Sequence, residues 1–346
     1  MNKRQKDILN FINNNTDCKR TDIEEYINNL YDKTSKITIL RDIDTLISAN
    51  LITKNGHSRN TTYSPITDNE LFKTYNIEQY FKTPSDNRTV KYSQFNFDIF
   101  KNLINIFTPD ELANLEEVNK KYITNTNNLS PRMLKKEFER LLIELSWKSS
   151  QIEGNTYSLL DTETLIKNNI EAKGHSKEES IMILNHKTAL EYIFENPDYY
   201  KNLSLKKIEE LHELLTKNLG VNKGLRKSPV GIIGANYKPM DNQHQIKNAM
   251  EQLVTSIENT ANPIEKALIS VLMISYIQPF EDGNKRTGRI LANAILHANN
   301  YCPLSYRSVD ETEYKKAVIL FYETNSICYF KKLFVEQFKF AVEQYF

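Results

Sequence analysis

Cysteine is scarce in this chain of 346 residues, and its few thiols form no pattern. The three cysteines, Cys18, Cys302 and Cys328, are odd in number and widely scattered. This distribution argues against a disulfide framework and provides no metal-ligand spacing. Reduced thiols in a cytoplasm are the simple interpretation.

Long apolar segments and a strong net charge are also lacking. The longest apolar run covers 267–277, whereas a helix that spans a bilayer needs about 20 residues. The polar N-terminus has no signal-peptide pattern. The sequence therefore predicts a cytoplasmic protein with no membrane partner. Because the formal net charge is only +1, contact with nucleic acid would depend on a local patch.

Residues 1 to about 65 predict a winged-helix domain of three short helices and a hairpin. Apolar residues recur at helical spacing in three segments, and residues 51–63 follow as two strands joined by a basic turn. Asp22 and Ser35 are the predicted N-caps of the second and third helices.

The segment 35–43 resembles the recognition helix of winged-helix DNA-binding domains. The resemblance implies DNA contacts from the third helix and from the wing, made by Lys36, Thr38, Arg41 and Arg59. Residues 1–65 nevertheless contain ten Lys and Arg against eight Asp and Glu, a net charge of only +2. Protein interaction therefore stays open beside DNA binding.

The rest of the chain divides into a connector at 66–130, expected to pack on the core, and a mainly α-helical core at 131–346. A helix from Pro131 is expected to end at Gly154. Further helices are predicted at 160–170, 178–195, 204–218, 242–259, 263–277, 285–299, 310–323 and 327–345. Between them, residues 230–239 predict a small β-hairpin. Lone histidines such as His186, His212 and His297 are expected to be packing or surface residues.

A short polar loop between two of these helices carries the chemistry. The apolar helix that ends at Ile277 leads into residues 278–283, and a new helix begins near Asn284 or Lys285. Gly283 permits a tight turn, and the first amides of the new helix suit a phosphate. Arg286 and Arg289 share one side of that helix, where two guanidinium groups can hold a polyphosphate. A capped, solvated helix is the plainer alternative.

The same loop resembles the signature of the Fic family, His-x-Phe-x-(Asp/Glu)-Gly-Asn-(Gly/Lys)-Arg-x-x-Arg. Matching positions are occupied by Phe280, Asp282, Gly283, Asn284, Lys285, Arg286 and Arg289. The resemblance extends more loosely from about residue 130 to the C-terminus. It implies a protein that binds ATP with Mg²⁺ and transfers AMP to a Ser, Thr or Tyr hydroxyl of a target protein.

The resemblance also implies a role for each motif residue. Asp282 would bind Mg²⁺, Asn284 and Arg286 would hold the α- and β-phosphates, and Arg289 would meet the γ-phosphate. Gly283 and Lys285 belong to the same nucleotide loop. The segment 230–239 would be the flap that clamps the target by strand addition, with Ile232 and Ile233 at its centre.

Gln278 departs from the family pattern, because it stands where the catalytic histidine is expected. An amide hydrogen-bonds but does not titrate near neutral pH, so it cannot act as a general base. Three explanations stay open: a natural pseudoenzyme that keeps nucleotide binding, a changed reaction, or a substitution introduced to trap a complex.

Residues 149–154, Ser-Ser-Gln-Ile-Glu-Gly, resemble the family's autoinhibitory pattern (Ser/Thr)-x-x-x-Glu-(Gly/Asn). The resemblance implies that Glu153 pairs with Arg289 and displaces the γ-phosphate from it. A polar residue at a helix end beside a Gly C-cap is the plainer interpretation. Two functions therefore remain: a self-inhibited adenylyltransferase, or a nucleotide-sensing DNA-binding regulator. A homodimer is an additional open alternative.

Overall fold

The computed structural model describes residues 1–15, 18–49, 51–56, 61–66 and 69–346. The fold is mainly α-helical, as predicted, and forms two compact units. The first unit comprises residues 1–89 and 324–329, and the second comprises 90–323 and 330–346. The division into 1–65, 66–130 and 131–346 stays a prediction. No helix in the described ranges is both long and apolar enough to cross a membrane.

The first unit begins with three helices and a small antiparallel sheet. Its elements are α1 (Lys3–Asn14), β1 (Cys18–Lys19), α2 (Arg20–Leu30), α3 (Lys36–Ser48), β2 (Ile52–Asn55), β3 (Thr62–Pro65) and α4 (Ile77–Lys82). Strand β3 lies between β1 and β2, with Cys18 opposite Tyr63 and Lys54 opposite the same residue on the other side. Isoleucines from all three helices, among them Ile8, Ile27 and Ile43, form its core.

The capping predictions in this unit have different outcomes. Ser35 caps α3 as predicted, since its hydroxyl accepts from the Thr38 N–H at 3.2 Å. The Asp22 prediction is wrong, because α2 begins two residues earlier and Lys19 is the residue before it. Asp22 instead accepts the Lys19 N–H at 2.9 Å from within the first turn. Arg59 lies outside the described residues.

From residue 90 onward helices dominate. They are α5 (Ile99–Asn102), α6 (Pro109–Asn128), α7 (Pro131–Ile152), α8 (Leu159–Asn168), α9 (Lys177–Glu195), α10 (Leu205–Thr216), α11 (Gln243–Asn259), α12 (Pro263–Ile277), α13 (Asn284–Ala298), α14 (Glu311–Thr324) and α15 (Cys328–Tyr345). The bounds of α8 to α15 agree with the predictions to within two residues. Hydrophobic periodicity locates the helices that bury one apolar face, whereas α12 and α13 are buried on nearly all sides.

Helices α12 and α13 form the centre of the second unit. Nearly every residue of α12 is buried, including both of its serines. At Gly288 a Cβ atom would lie only 3.1 Å from the Val271 carbonyl oxygen, so the two helices approach closely there. This contact fixes α13, and the arginines it carries, against an apolar support.

The hairpin predicted at 230–239 is wrong. This segment is described throughout and contains no strand, only a turn at residues 233–234. Its backbone pairs elsewhere, because the Lys238 N–H donates to the Ser93 carbonyl at 2.9 Å and Lys238 bridges Gln94 in parallel. Ile233 is 99% exposed at the turn. β-Branched residues and a Gly turn indicated a hairpin, but the pairing partner is a distant segment.

Candidate functional site

The loop between α12 and α13 is built on two backbone conformations of the left-handed type. Gln278 ends α12 with φ 50° and ψ 58°, and Gly283 precedes α13 with φ 79°. The first is unusual for a residue with a side chain, and such conformations persist where surrounding contacts over-determine them. These two conformations set the direction of the chain between the end of α12 and the start of α13.

The side chain of Asn284 forms hydrogen bonds across the loop. Its side-chain oxygen accepts the Phe280 N–H at 2.8 Å, and its Nδ2 donates to the Phe280 carbonyl at 2.8 Å. The same Nδ2 donates to Gln278 Oε1 at 3.0 Å. The side chain that the resemblance assigns to phosphate is thus engaged within the loop.

Arg226 binds the backbone of the loop, and no sequence pattern indicated it. Its buried guanidinium donates from Nε to the Gln278 carbonyl at 2.6 Å and also to the Ser228 and Met240 carbonyls. Its backbone N–H donates to the Pro279 carbonyl at 2.9 Å. One guanidinium group thus binds three carbonyl groups. These carbonyls meet only in the folded chain, so no sequence pattern marks them.

His212 supports the loop from α10. Its ring stacks on Phe280 with centroids 3.8 Å apart, and Nε2 lies 2.9 Å from the Asp282 carbonyl oxygen. Since a carbonyl only accepts, Nε2 carries the proton and donates. Burial lowers the pKa of His212 to about 4, so the ring is neutral. The expectation of a packing histidine missed this hydrogen bond to the motif loop.

Arg286 and Arg289 are almost completely buried, at 1% and 0% exposed. Arg286 Nη2 donates to Asp282 Oδ2 at 2.6 Å. Its Nε and Nη1, and Nη1 of Arg289, are buried and have no hydrogen-bond partner among the described residues. Unpaired buried donors are costly. Two adjacent guanidinium groups with unfilled N–H positions suit a polyphosphate.

Asp282 lies at the mouth of this site, and its side chain is 67% exposed. Among the described residues no group of three or more His, Cys, Asp or Glu side chains could hold a metal ion. Mg²⁺ beside phosphates needs only one or two protein carboxylates, with phosphate oxygens and water as its other ligands. A single exposed carboxylate next to the arginines fits such an ion.

Glu153 follows α7, and its carboxylate contacts Arg289 and Lys285. Its Oε1 lies 2.8 Å from Arg289 Nη2, and its Oε2 lies 3.5 Å from Lys285 Nζ. Burial opposes its ionisation, but Arg289 and Lys285 outweigh burial and lower its pKa to about 2. Glu153 is therefore an anion that occupies part of the positive site.

Gln278 faces the interior rather than an open cleft. Its Nε2 donates to the Ser275 carbonyl at 2.6 Å and lies 3.5 Å from the Tyr322 hydroxyl. Its Oε1 accepts from Asn284, so both ends of the amide have partners. Only 8% of the residue is exposed.

Part of the chain is similar to proteins of a known family. Residues 202–296 match the family described as Fic/DOC. The chain is 27% identical over 187 residues to a protein adenylyltransferase Fic of Nematostella vectensis, covering 52% of this chain and 43% of that protein. It is 36% identical over 100 residues to a probable protein adenylyltransferase of Aquifex aeolicus, covering 28% and 31%. The chain spans less than half the length of both relatives.

Solved structures agree at the level of the fold. A Fic-domain-containing signaling protein from Bacteroides thetaiotaomicron superposes with a TM-score of 0.58 at 21% identity, covering 66% of this chain and 94% of that chain. A Fic family protein from Desulfovibrio desulfuricans gives 0.57 at 21% identity, covering 73% and 76%. Part of the chain is therefore similar to Fic domains, and the resemblance predicted from the motif is confirmed.

Proposed function

We propose that this chain is an ATP-binding Fic protein of the AMP-transferring type, restrained by Glu153 and weakened by Gln278. The observation that carries the proposal is the pair of buried arginines, 286 and 289, whose N–H groups are only partly satisfied. They lie beside the N-terminus of α13, where the helix dipole favours anions. The relatives named as protein adenylyltransferases support the choice of nucleotide.

Each residue of the loop would act on the triphosphate by position and charge. Arg286 and Arg289 would bind phosphate oxygens, and Asp282 would turn from Arg286 towards Mg²⁺. The metal would supply charge neutralisation on the phosphates. Gly283 would let the backbone approach the phosphates, and Lys285 would add one further cation. Asn284 would keep the loop rigid.

The target would be a Ser, Thr or Tyr hydroxyl of another protein chain. Ile232 and Ile233 would contact it, and the segment around them would offer backbone groups for strand addition. Gln278 would orient the hydroxyl but accept no proton from it. Loss of a general base typically costs about 10²–10⁴-fold in rate.

Transfer of labelled AMP from ATP with Mg²⁺ tests this proposal. The unsubstituted chain is compared with Gln278→His, Glu153→Gly and the double variant, with Arg286→Ala as a control that removes phosphate binding. We expect strong labelling from the double variant and little from the unsubstituted chain. If no variant transfers label, the AMP-transferring type is wrong. If the unsubstituted chain matches the double variant, the role given to Gln278 is wrong.

Nucleotide-responsive DNA binding is the alternative function, and one observation favours it. The first unit has three helices with a three-stranded antiparallel sheet, and α3 presents Lys36 and Arg41 to solvent while Thr38 is half-buried. Such a helix suits a major groove.

Fluorescence anisotropy on a duplex library, at several salt concentrations and with and without ATP, tests the alternative. Replacing Lys36 and Arg41 with alanine should weaken binding and reduce the slope of log K against log salt by roughly 1 for each lost phosphate contact. Lys3→Ala, an exposed lysine on α1, is the matched control. Equal affinity for all variants would reject DNA binding through α3.

A further inference from the structure

Arg289 is held mainly by Ser149 rather than by Glu153. Its Nε donates to Ser149 Oγ at 2.9 Å, and its Nη2 donates to the Ser149 carbonyl, also at 2.9 Å. Glu153 contacts only Nη2, at 2.8 Å. If the Glu153 carboxylate moves away, the two bonds to Ser149 can still fix the guanidinium.

His186 on α9 lies behind Ser149 and completes a buried chain of polar groups. Its Nε2 is 2.9 Å from Ser149 Oγ, and its Nδ1 is 2.8 Å from the Met182 carbonyl oxygen. The Ser150 hydroxyl lies 3.4 Å from the same Nδ1. His186, Ser149 and Arg289 are all 0% exposed.

The donor and the acceptor of each hydrogen bond in the series His186–Ser149–Arg289 follow from the chemistry of the groups. A carbonyl only accepts, so Nδ1 of His186 carries the proton and Nε2 presents a lone pair. Ser149 therefore donates its hydroxyl proton to Nε2 and turns its oxygen lone pairs towards Arg289, which can only donate. Burial, supported by the nearby arginines, lowers the pKa of His186 to about 3, so the ring stays neutral at physiological pH.

We propose that His186 is a positioning residue that acts through Ser149 to keep Arg289 aimed at the terminal phosphate of a nucleoside triphosphate. Glu153 and His186 then have separate tasks on one guanidinium. Glu153 occupies an N–H of Nη2, whereas His186 orients the hydroxyl that holds Nε. The Tyr314 ring lies 5.4 Å from the guanidinium, and Nη1, for which the described residues provide no hydrogen bond of good geometry, is with the released N–H of Nη2 the edge that would meet the phosphate. The inference rests on the proposed nucleotide binding.

The test is the preference for ATP over ADP, measured by calorimetry with Mg²⁺ in the Glu153→Gly chain. Removing a hydrogen bond to a charged group costs enough to change an equilibrium roughly tenfold. We expect Ser149→Ala and His186→Phe each to reduce the preference roughly tenfold. His186→Gln should retain most of it, because Gln Oε1 can replace the Nε2 lone pair. His297→Phe, a half-buried histidine among Phe138 and Phe194, should change nothing.

A His186→Phe chain that remains folded and keeps the parent's preference would overturn the proposal. Nitrogen NMR of the His186 ring provides a readout that needs no nucleotide and no substitution. A neutral ring with the proton on Nδ1 from pH 5 to 8 is expected, and the opposite tautomer or an imidazolium would overturn it. If the parent binds no ATP while the ring shows the expected tautomer, the proposed nucleotide function fails and the hydrogen-bond chain stands.

Discussion

Asn284 Nδ2 donates to Gln278 Oε1 at 3.0 Å, joining the residue that ends α12 to the first residue of α13. The same Asn284 side chain satisfies both backbone groups of Phe280. One amide thus connects the end of α12, the middle of the loop and the start of α13. The loop's geometry therefore depends on this amide.

The first prediction follows from that dependence. Asn284→Ala leaves Phe280 and Gln278 with unpaired buried groups and should lower stability by about 1–3 kcal/mol. Asn284→Asp keeps the oxygen that accepts from Phe280 but turns a second oxygen towards two acceptors, so it should be worse. Urea denaturation measures both. A greater stability for the Asp variant than for the Ala variant would contradict the assigned hydrogen-bond directions.

The second prediction concerns the charge of Glu153. Glu153→Gln keeps the shape of the side chain and removes the anion that competes for Arg289 and Lys285. ATP affinity should rise roughly tenfold, a coupling of ordinary size, and AMP affinity should rise less because AMP lacks the distal phosphates. Calorimetry measures both affinities. Glu281→Gln, an exposed carboxylate on the same loop that binds Asn222, is the control.

The effect of Glu153 on ATP affinity should not change with pH between pH 5 and pH 8. Because the Glu153 pKa is lowered to about 2, its carboxylate is ionised throughout the neutral and mildly acidic range. The gain in ATP affinity on Glu153→Gln should therefore be constant from pH 5 to pH 8. A gain that fades towards pH 5 would show that Glu153 is already protonated there, contrary to its pairing with two cations.

The third prediction concerns acid destabilisation by buried histidines. The folded chain lowers the pKa of His186 to about 3 and of His212 to about 4, from an ordinary value of 6.5. Below pH 6.5 the unfolded chain therefore binds protons that the folded chain does not. The stability is fully present above pH 6.5 and is lost as pH falls towards 4, by about 1.4 kcal/mol per pH unit for each histidine.

Thermal unfolding between pH 7 and pH 5 tests this, since Glu153 and Glu179, whose pKa values are lowered to about 2, titrate below that range. His212→Gln should reduce the drop in melting temperature between pH 7 and pH 5, even if it lowers the melting temperature at pH 7. The exposed His244→Gln should leave the fall unchanged. Parallel curves for the unsubstituted chain and His212→Gln would show that His212 takes up no proton on unfolding.

The residues that sequence reasoning identified are those contiguous in the chain. The motif loop and Glu153 could be predicted because short contiguous patterns resemble those of a family, and the eight C-terminal helices could be predicted from hydrophobic spacing. Arg226, His212 and His186 could not, since each acts on segments between 37 and 70 positions away that meet only after folding. The hairpin failed for a related reason, because Lys238 pairs with a segment more than a hundred residues earlier.

The last prediction tests the close approach of α12 and α13. In Gly288→Ala the new methyl group would lie 3.1 Å from the Val271 carbonyl oxygen and 3.2 Å from its Cα. Both are backbone atoms of a buried helix, which cannot move aside as a flexible side chain would. Overpacking of this kind typically costs 1–3 kcal/mol, so we expect a loss of about that size in urea denaturation.

Gly231→Ala provides the control, because nothing lies within 4 Å of the added atom. We expect it to change stability by less than about 0.5 kcal/mol. Since α13 carries Arg286 and Arg289, the shift forced by Gly288→Ala should also weaken ATP binding, whereas Gly231→Ala should not. A Gly288→Ala chain with unchanged stability and unchanged ATP affinity would mean that the two helices can separate without moving the arginines. The site would then be less rigid than its buried contacts imply.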